Sequence, residues 1–240
     1  MKPGSLFLLP GFIGENENST HLSAYELELF NELKVYFCEN EKTARRFLRR
    51  AGFTGSFDEI ELHRLDKDSN HSDIQQLLGI LLSGQNAGIL SEAGAPAIAD
   101  PGTVLVREAH RKNIPVVPVP GPSAIMMAIM ASGLNGQSFS FLGYLPVDKQ
   151  ERKKQLKLIE KSSGQKAEAL FFIETPYRNS ALLEDMLAVL NPATLIHVSC
   201  NISQPDSIIS TKAVSEWKKT SIDLHKKPCV FGILSTETVH

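Results

Sequence analysis

Short apolar runs alternating with helix-patterned segments constrain this chain more than any other feature. Ser5–Leu9, Val35–Cys38, Ala87–Leu90 and Val116–Val119 are brief and apolar, and Phe57–Leu65 alternates polar and apolar residues. Runs of that length and pattern read as strands. Between them lie helical spacings. His21–Leu33 carries Leu22, Tyr25, Leu29 and Leu33 on one side. Glu41–Ala51 sets Phe47 and Leu48 against a surface of arginines. Ser72–Leu82, with Ser72 placed to cap it, and Pro101–Lys112 complete the set. The β-α-β-α-β-α-β-α-β order implies a mainly parallel sheet with helices on both faces. Ligands of such sheets bind beyond the carboxyl ends of the strands. The loops after Leu9, Cys38, Leu90 and Val119 are therefore where chemistry is expected.

The second half alternates less strictly. Helices are expected near Ser123–Ser132, Lys149–Lys161, Asn179–Leu190 and Lys212–Lys218. Strands are expected near Ser138–Leu142, Leu170–Ile173, Leu195–Cys200 and Cys229–Leu234, with a short hairpin around Ile208–Thr211. Adjacent strands imply a mixed sheet. Pro118–Pro122 marks a stiff bend, which divides the 240 residues into domains 1–119 and 120–240.

Composition limits the alternatives. No run approaches the roughly 20 apolar residues that span a bilayer. The apolar stretch after Ser5 is stopped by Pro10 and Gly11, too early for an export signal. Cys38, Cys200 and Cys229 are far apart, with no CxxC and no Cys/His ligand spacing, so no metal site is expected. They read as reduced core thiols of a cytoplasmic protein. A net charge of −2 leaves nucleic-acid contact to local patches. Two basic runs qualify: Lys42, Arg45, Arg46, Arg49 and Arg50; and Lys149, Arg152, Lys153, Lys154 and Lys157. Each also reads as a solvated helix face.

Three segments carry candidate chemistry. Ser91–Gly102 joins a buried strand to a helix; Gly94 and Gly102 permit close approach and positive φ, Pro96 and Pro101 stiffen it, and Asp100 is placed to cap the helix. Read by itself, it is equally a tight connection. Val117–Ala124 repeats the strand-to-helix step through Pro-Gly-Pro, with Ser123 as a cap or the floor of a ligand site. Phe171–Arg178 runs from a strand into a polar cluster, where Glu174 and Arg178 either pair with each other or serve as acid/base and phosphate-contacting groups. No GxGxxG, GxxxxGK[ST] or GxSxG occurs.

Taken in order and spacing, these segments resemble the tetrapyrrole methylase superfamily, and within it the branch that methylates small-subunit ribosomal RNA. The carriers are Ser-Glu-Ala-Gly-Ala-Pro-Ala-Ile-Ala-Asp-Pro-Gly at 91–102, Val-Pro-Val-Pro-Gly-Pro-Ser-Ala at 117–124, Ala-Ser-Gly-Leu at 131–134, Phe-Leu-Gly-Tyr-Leu-Pro at 141–146 and Glu-Thr-Pro-Tyr-Arg at 174–178. The resemblance implies two α/β domains with S-adenosylmethionine in the cleft between them, a homodimer, and transfer of methyl to a ribose 2′-hydroxyl. It also implies that Pro10, Glu92, Gly94, Ala95, Pro96, Ile98, Ser123 and Ala124 seat the cofactor. Glu174 and Arg178 are the expected catalytic pair. Departures fall where substrate would lie. Glu92 replaces an Asp, Glu39–Lys42 lacks an acid and an Arg, the loop Pro10–Glu15 has an apparent short insertion, Asn201–Asp206 replaces a charged motif, and a small C-terminal domain of longer members has no counterpart. The competing readings are methylation of a small molecule such as a corrin precursor, and a non-catalytic cofactor-binding RNA or regulatory module.

Overall fold

A computed structural model of the protein describes residues 2–14 and 23–236. It divides into two compact units, Met1–Ser123 and Ala124–His240. The Pro120–Ser123 turn thus goes with the first unit, because Gly121 packs on Pro10.

The first unit is a five-stranded sheet of β1 (Leu6–Leu9), β2 (Val35–Cys38), β3 (Glu61–Arg64), β4 (Ala87–Leu90) and β5 (Val116–Pro118), in the order β3-β2-β4-β1-β5. Every pairing is parallel. Helices α1 (Ala24–Glu32) and α2 (Glu41–Arg50) cover one face; α3 (His71–Leu82) and α4 (Gly102–Arg111) cover the other. The strand period of two sends Tyr36 and Cys38 toward Phe30 and Leu48, and Val35 and Phe37 toward Leu77 and Leu105. Because both faces are buried, the strands are apolar throughout.

Helix starts follow side-chain capping. Ser23 and Glu26 form a capping box at α1, and Asn40 accepts from the amides of Lys42 and Thr43 at α2. The cap of α3 is Asn70, not Ser72: Asp73 reaches back to the Asn70 amide and completes a box that starts the helix one residue earlier. Phe57–Glu59 is a single 3₁₀ turn, so the expected strand begins only at Glu61. The part of the first helix expected at His21 and Leu22, and Glu15 of the apparent insertion, lie outside the described residues.

The second unit holds α5 (Ala124–Ser132), β6 (Phe139–Tyr144), α6 (Lys149–Lys166), β7 (Ala169–Glu174), α7 (Asn179–Val189), β8 (Leu195–Cys200), β9 (Ile208–Ala213), α8 (Val214–Trp217) and β10 (Cys229–Leu234). Its sheet order is β6-β7-β10-β8-β9, parallel at β6–β7 and antiparallel elsewhere. Leu156, Leu182, Met186 and Trp217 pack on Phe172, Val198 and Phe231 to form the core of one face. α5 packs on the other. Among the described residues no helix is long and apolar enough to cross a membrane.

Candidate functional site

In the first unit three loops beyond the carboxyl ends of parallel strands are knit together by backbone. The Gly11 amide donates to the Gly94 carbonyl at 2.7 Å, and the Gly94 amide returns a bond to Gly11 at 3.1 Å. This ties the turn after β1 to the Ser91–Gly102 loop after β4. A Cβ on Gly11 would meet the Ser91 carbonyl oxygen at 2.5 Å, and one on Gly121 would meet Cγ of Pro10 at 2.1 Å. Real side chains cannot approach so closely, so the loops after β1, β4 and β5 meet only because two glycines face them. The expected turn Ser91–Gly102 and, through Gly121, the expected turn Pro120–Ala124 are therefore both fastened to Pro10–Gly11.

The long loop is strained at residue types that do not announce it. Gly94 has φ 71°, as its residue type permits, but the next left-handed positions are Ala97 (62°) and Ala99 (55°). Gly102 instead opens α4 in ordinary helical geometry. An L residue held left-handed costs about 1–2 kcal/mol, and such outliers gather at functional sites. The Asp100 carboxylate holds the turn by accepting from the amides of Gly102 at 2.9 Å and Ala97 at 3.3 Å. Ile98, between the two strained alanines, is exposed.

A narrow hollow opens between the loops after β2 and β4, lined by Cys38, Glu39, Asn40, Thr43, Phe47 and Glu92 among others. Thr43 Oγ1 donates to Glu92 Oε1 at 3.3 Å. Burial holds the Glu39 carboxyl above its ordinary pKa, and the like charges of Glu92, Asp100 and Asp66 push the same way. The rim is thus electronegative. A wider hollow at the end of β3, lined by His63, Asp66 and Asp73, touches none of the expected site residues.

In the second unit Glu174 and Arg178 pair with each other. Glu174 is 4% exposed and ends β7. Its Oε1 accepts from Arg178 Nη2 at 2.5 Å, from Arg178 Nε at 3.0 Å and from the Thr175 amide at 2.6 Å. Oε2 is buried without a hydrogen-bond partner among the described residues. The helix expected near Asn179–Leu190 does begin at Asn179, after Thr175–Arg178 closes a turn through the Arg178 amide and the Thr175 carbonyl.

The two basic runs differ. In α2, five cations stand against one carboxylate, a net charge of +4 on a chain of −2. Arg49 lies 4.3 Å from the Phe57 ring centre and Arg50 lies 4.5 Å from that of Phe12. Rings under the guanidinium planes hold them in place at little solvation cost. In α6, Arg152 is not a surface cation. It is buried, bonded to Asp185 of α7 and to the Val147 carbonyl, and Lys153 leans on the same carboxylate at 3.5 Å. Lys149, Lys154 and Lys157 of the same run are exposed, so the run is part structural and part solvated face, which its sequence spacing did not reveal.

Comparison with known proteins agrees with the fold and the order of the loops. The family model for tetrapyrrole (corrin/porphyrin) methylases matches residues 21–216. "Ribosomal RNA small subunit methyltransferase I" of Escherichia coli O157:H7 is 30% identical over 90% of this chain and 72% of its own length. The protein of the same name from Vibrio cholerae is 36% identical over 77% of this chain and 60% of its own length. The chain spans about three fifths of the length of the first curated relatives it matches. The methyltransferase CobJ superposes with a TM-score of 0.63 at 16% identity, covering 98% of this chain and 95% of that one. That last likeness concerns fold alone. With a family match over most of the sequence and an architecture to go with it, the chain belongs to the tetrapyrrole methylase family.

Proposed function

We propose that the protein transfers a methyl group from S-adenosylmethionine to a ribose 2′-hydroxyl of small-subunit ribosomal RNA. The observation that carries the reading is the acidic, backbone-knit edge of the parallel sheet. The charges of Glu92 and Asp100 bear on Glu39 there, beside loops that only glycines let meet. Such a rim favours a cationic sulfonium nucleoside and disfavours a phosphate-bearing cofactor. Pro10, Glu92, Gly94, Ala95, Pro96, Ile98, Ser123 and Ala124 are the residues assigned to seat it. When bound, the cofactor supplies an already activated methyl group, so the protein's task is alignment of the acceptor.

Arg178 fixes Glu174 through Oε1 and leaves Oε2 as the acceptor for the hydroxyl proton. The Arg178 side chain, 31% exposed, retains donors for a phosphate. The arginines of α2 supply the local patch for an RNA backbone. The relatives' shared name supports RNA as the acceptor, and a cytoplasmic location beside ribosomal subunits is part of the same reading. A homodimer is part of the same reading: Met126 and Met130, one turn apart on α5, are exposed, Met130 at 81%, and an apolar pair of this kind suits a symmetric contact.

The family model for tetrapyrrole (corrin/porphyrin) methylases supports a second reading, a small tetrapyrrole acceptor. One experiment separates them. Small ribosomal subunits from a strain lacking the gene are incubated with the protein and tritiated S-adenosylmethionine. Label in the ribosomal RNA is expected; label found only in a corrinoid overturns the RNA reading. Cofactor binding with no acceptor labelled leaves a non-catalytic module.

A further inference from the structure

We propose that Cys200 and Cys229 are an oxidisable dithiol that hydrogen peroxide closes into a disulfide between β8 and β10. Cys200 ends β8, Cys229 begins β10, and the antiparallel register sets them face to face. The Asn201 amide donates to the Pro228 carbonyl at 3.0 Å, so the hydrogen-bonded position lies one residue further out. Cys200 and Cys229 are therefore a non-hydrogen-bonded pair. In such pairs the Cα atoms are about 4.5 Å apart with side chains on one face. That separation lies within the roughly 4.4–6.8 Å range a disulfide spans. Both thiols are free; Cys200 is fully buried and Cys229 is 5% exposed.

The two sulfurs are not equivalent. The Cys229 thiol donates to the Lys227 carbonyl at 3.5 Å, and the two facing sulfurs interact so that the pKa of Cys200 is lowered and that of Cys229 raised; burial opposes the first effect and reinforces the second. The Lys227 ammonium also favours a Cys200 thiolate, while Asp206 and Asp223 oppose it. Those two carboxylates hold Lys227 Nζ at 3.4 and 3.6 Å. Cys200 is thus the attacking sulfur. Its thiolate displaces hydroxide from hydrogen peroxide and becomes a sulfenic acid. The Cys229 thiol then attacks that sulfur, the S–S bond forms, and water leaves. Two thiols lose two electrons and one peroxide becomes two waters.

The pair sits in a row of the sheet that bears on the candidate site. Cys229 is opposite Glu174 on its other side. Two residues before it, the Lys227 carbonyl accepts from the Asn179 side-chain amide at 2.6 Å. The bond would staple the strand ends beside Glu174–Arg178, and its formation does not depend on what those residues do.

The test treats the native full chain with excess hydrogen peroxide, alkylates the remaining thiols and maps peptides without reduction. A Cys200–Cys229 linked peptide is expected, with two of the three thiols lost and Cys38 still alkylated. Dithiothreitol should restore both. In Cys229→Ser, dimedone should trap a sulfenic acid at Cys200. The proposal is overturned if all three thiols stay alkylatable under conditions that oxidise the urea-unfolded chain. It is equally overturned if Cys200 proceeds to sulfinic acid with no link to Cys229.

Discussion

Lowering the pH from 7 to 4 should remove stability from the protein through one fully buried side chain, His197. Its Nδ1 lies 2.8 Å from Thr211 Oγ1 and its Nε2 lies 2.6 Å from Ser199 Oγ. Thr211 Oγ1 is also 2.6 Å from the Ser132 carbonyl, which can only accept. The single threonine proton must go there, so the hydroxyl accepts from Nδ1–H, and Nε2 accepts from Ser199. The ring is therefore neutral and fixed as one tautomer. A second ring proton would face the Ser199 oxygen and force that hydroxyl to turn away from its only strong acceptor.

Burial lowers the His197 pKa to about 4 from an ordinary 6.5. The folded pKa lies below the unfolded one, so between those values the unfolded chain holds more protons. The contribution is full above pH 6.5 and is lost as pH falls toward 4. A difference of about 2.5 units at 1.36 kcal/mol each is about 3.4 kcal/mol, a large part of a typical 5–15 kcal/mol. Urea unfolding followed by the single tryptophan reads the right region. Trp217 is buried and its Nε1 donates to the Ile196 carbonyl, next to His197. Wild type and His197→Gln should separate as pH falls, the wild type losing about 3.4 kcal/mol more. Parallel stability curves for the two proteins, or a His197 proton resonance titrating near 6.5, would refute the argument.

Asp185→Ala should cost about 3–5 kcal/mol by leaving Arg152 buried and uncompensated, whereas Arg152→Met with Asp185→Leu should recover most of it in thermal melts. Gly121→Ala would drive a Cβ into Pro10 and should weaken S-adenosylmethionine binding at least tenfold in calorimetry; unchanged affinity removes that turn from the site. Arg46→Gln with Arg49→Gln should reduce the salt slope of RNA binding by about 1.4, two single-strand phosphate contacts at 0.7 each, with cofactor affinity unaltered. Met130→Glu should yield a monomer by light scattering, and a persisting dimer places the interface elsewhere.

Residues a few positions apart settle what kind of element a segment forms, and at that range the sequence is readable. The unbroken apolar run at Val35–Cys38 and the helical spacings of His21–Leu33 and Glu41–Ala51 pointed to a strand and helices close to those described. The strand–helix alternation required a parallel sheet and named the loops at its carboxyl edge before any contact was known. Local ambiguity persisted where two neighbours compete for one role, as Asn70 and Ser72 did at α3 until the return bond from Asp73 decided between them.

Tertiary placement decided everything that depends on distant partners or on exclusion of water. Gly11 and Gly94 are bridged across some eighty residues, and nothing in either neighbourhood encodes that register. Arg152 and Arg46 are both arginines in basic helices, yet one is buried against Asp185 and the other faces solvent. His197 and Cys200 look like ordinary strand residues until the sheet desolvates the first and sets the second opposite Cys229. A sequence carries periodicity within one turn or one pleat. Charge state, strain and pairing belong to the assembled interior, because they follow from which atoms replace water around each group.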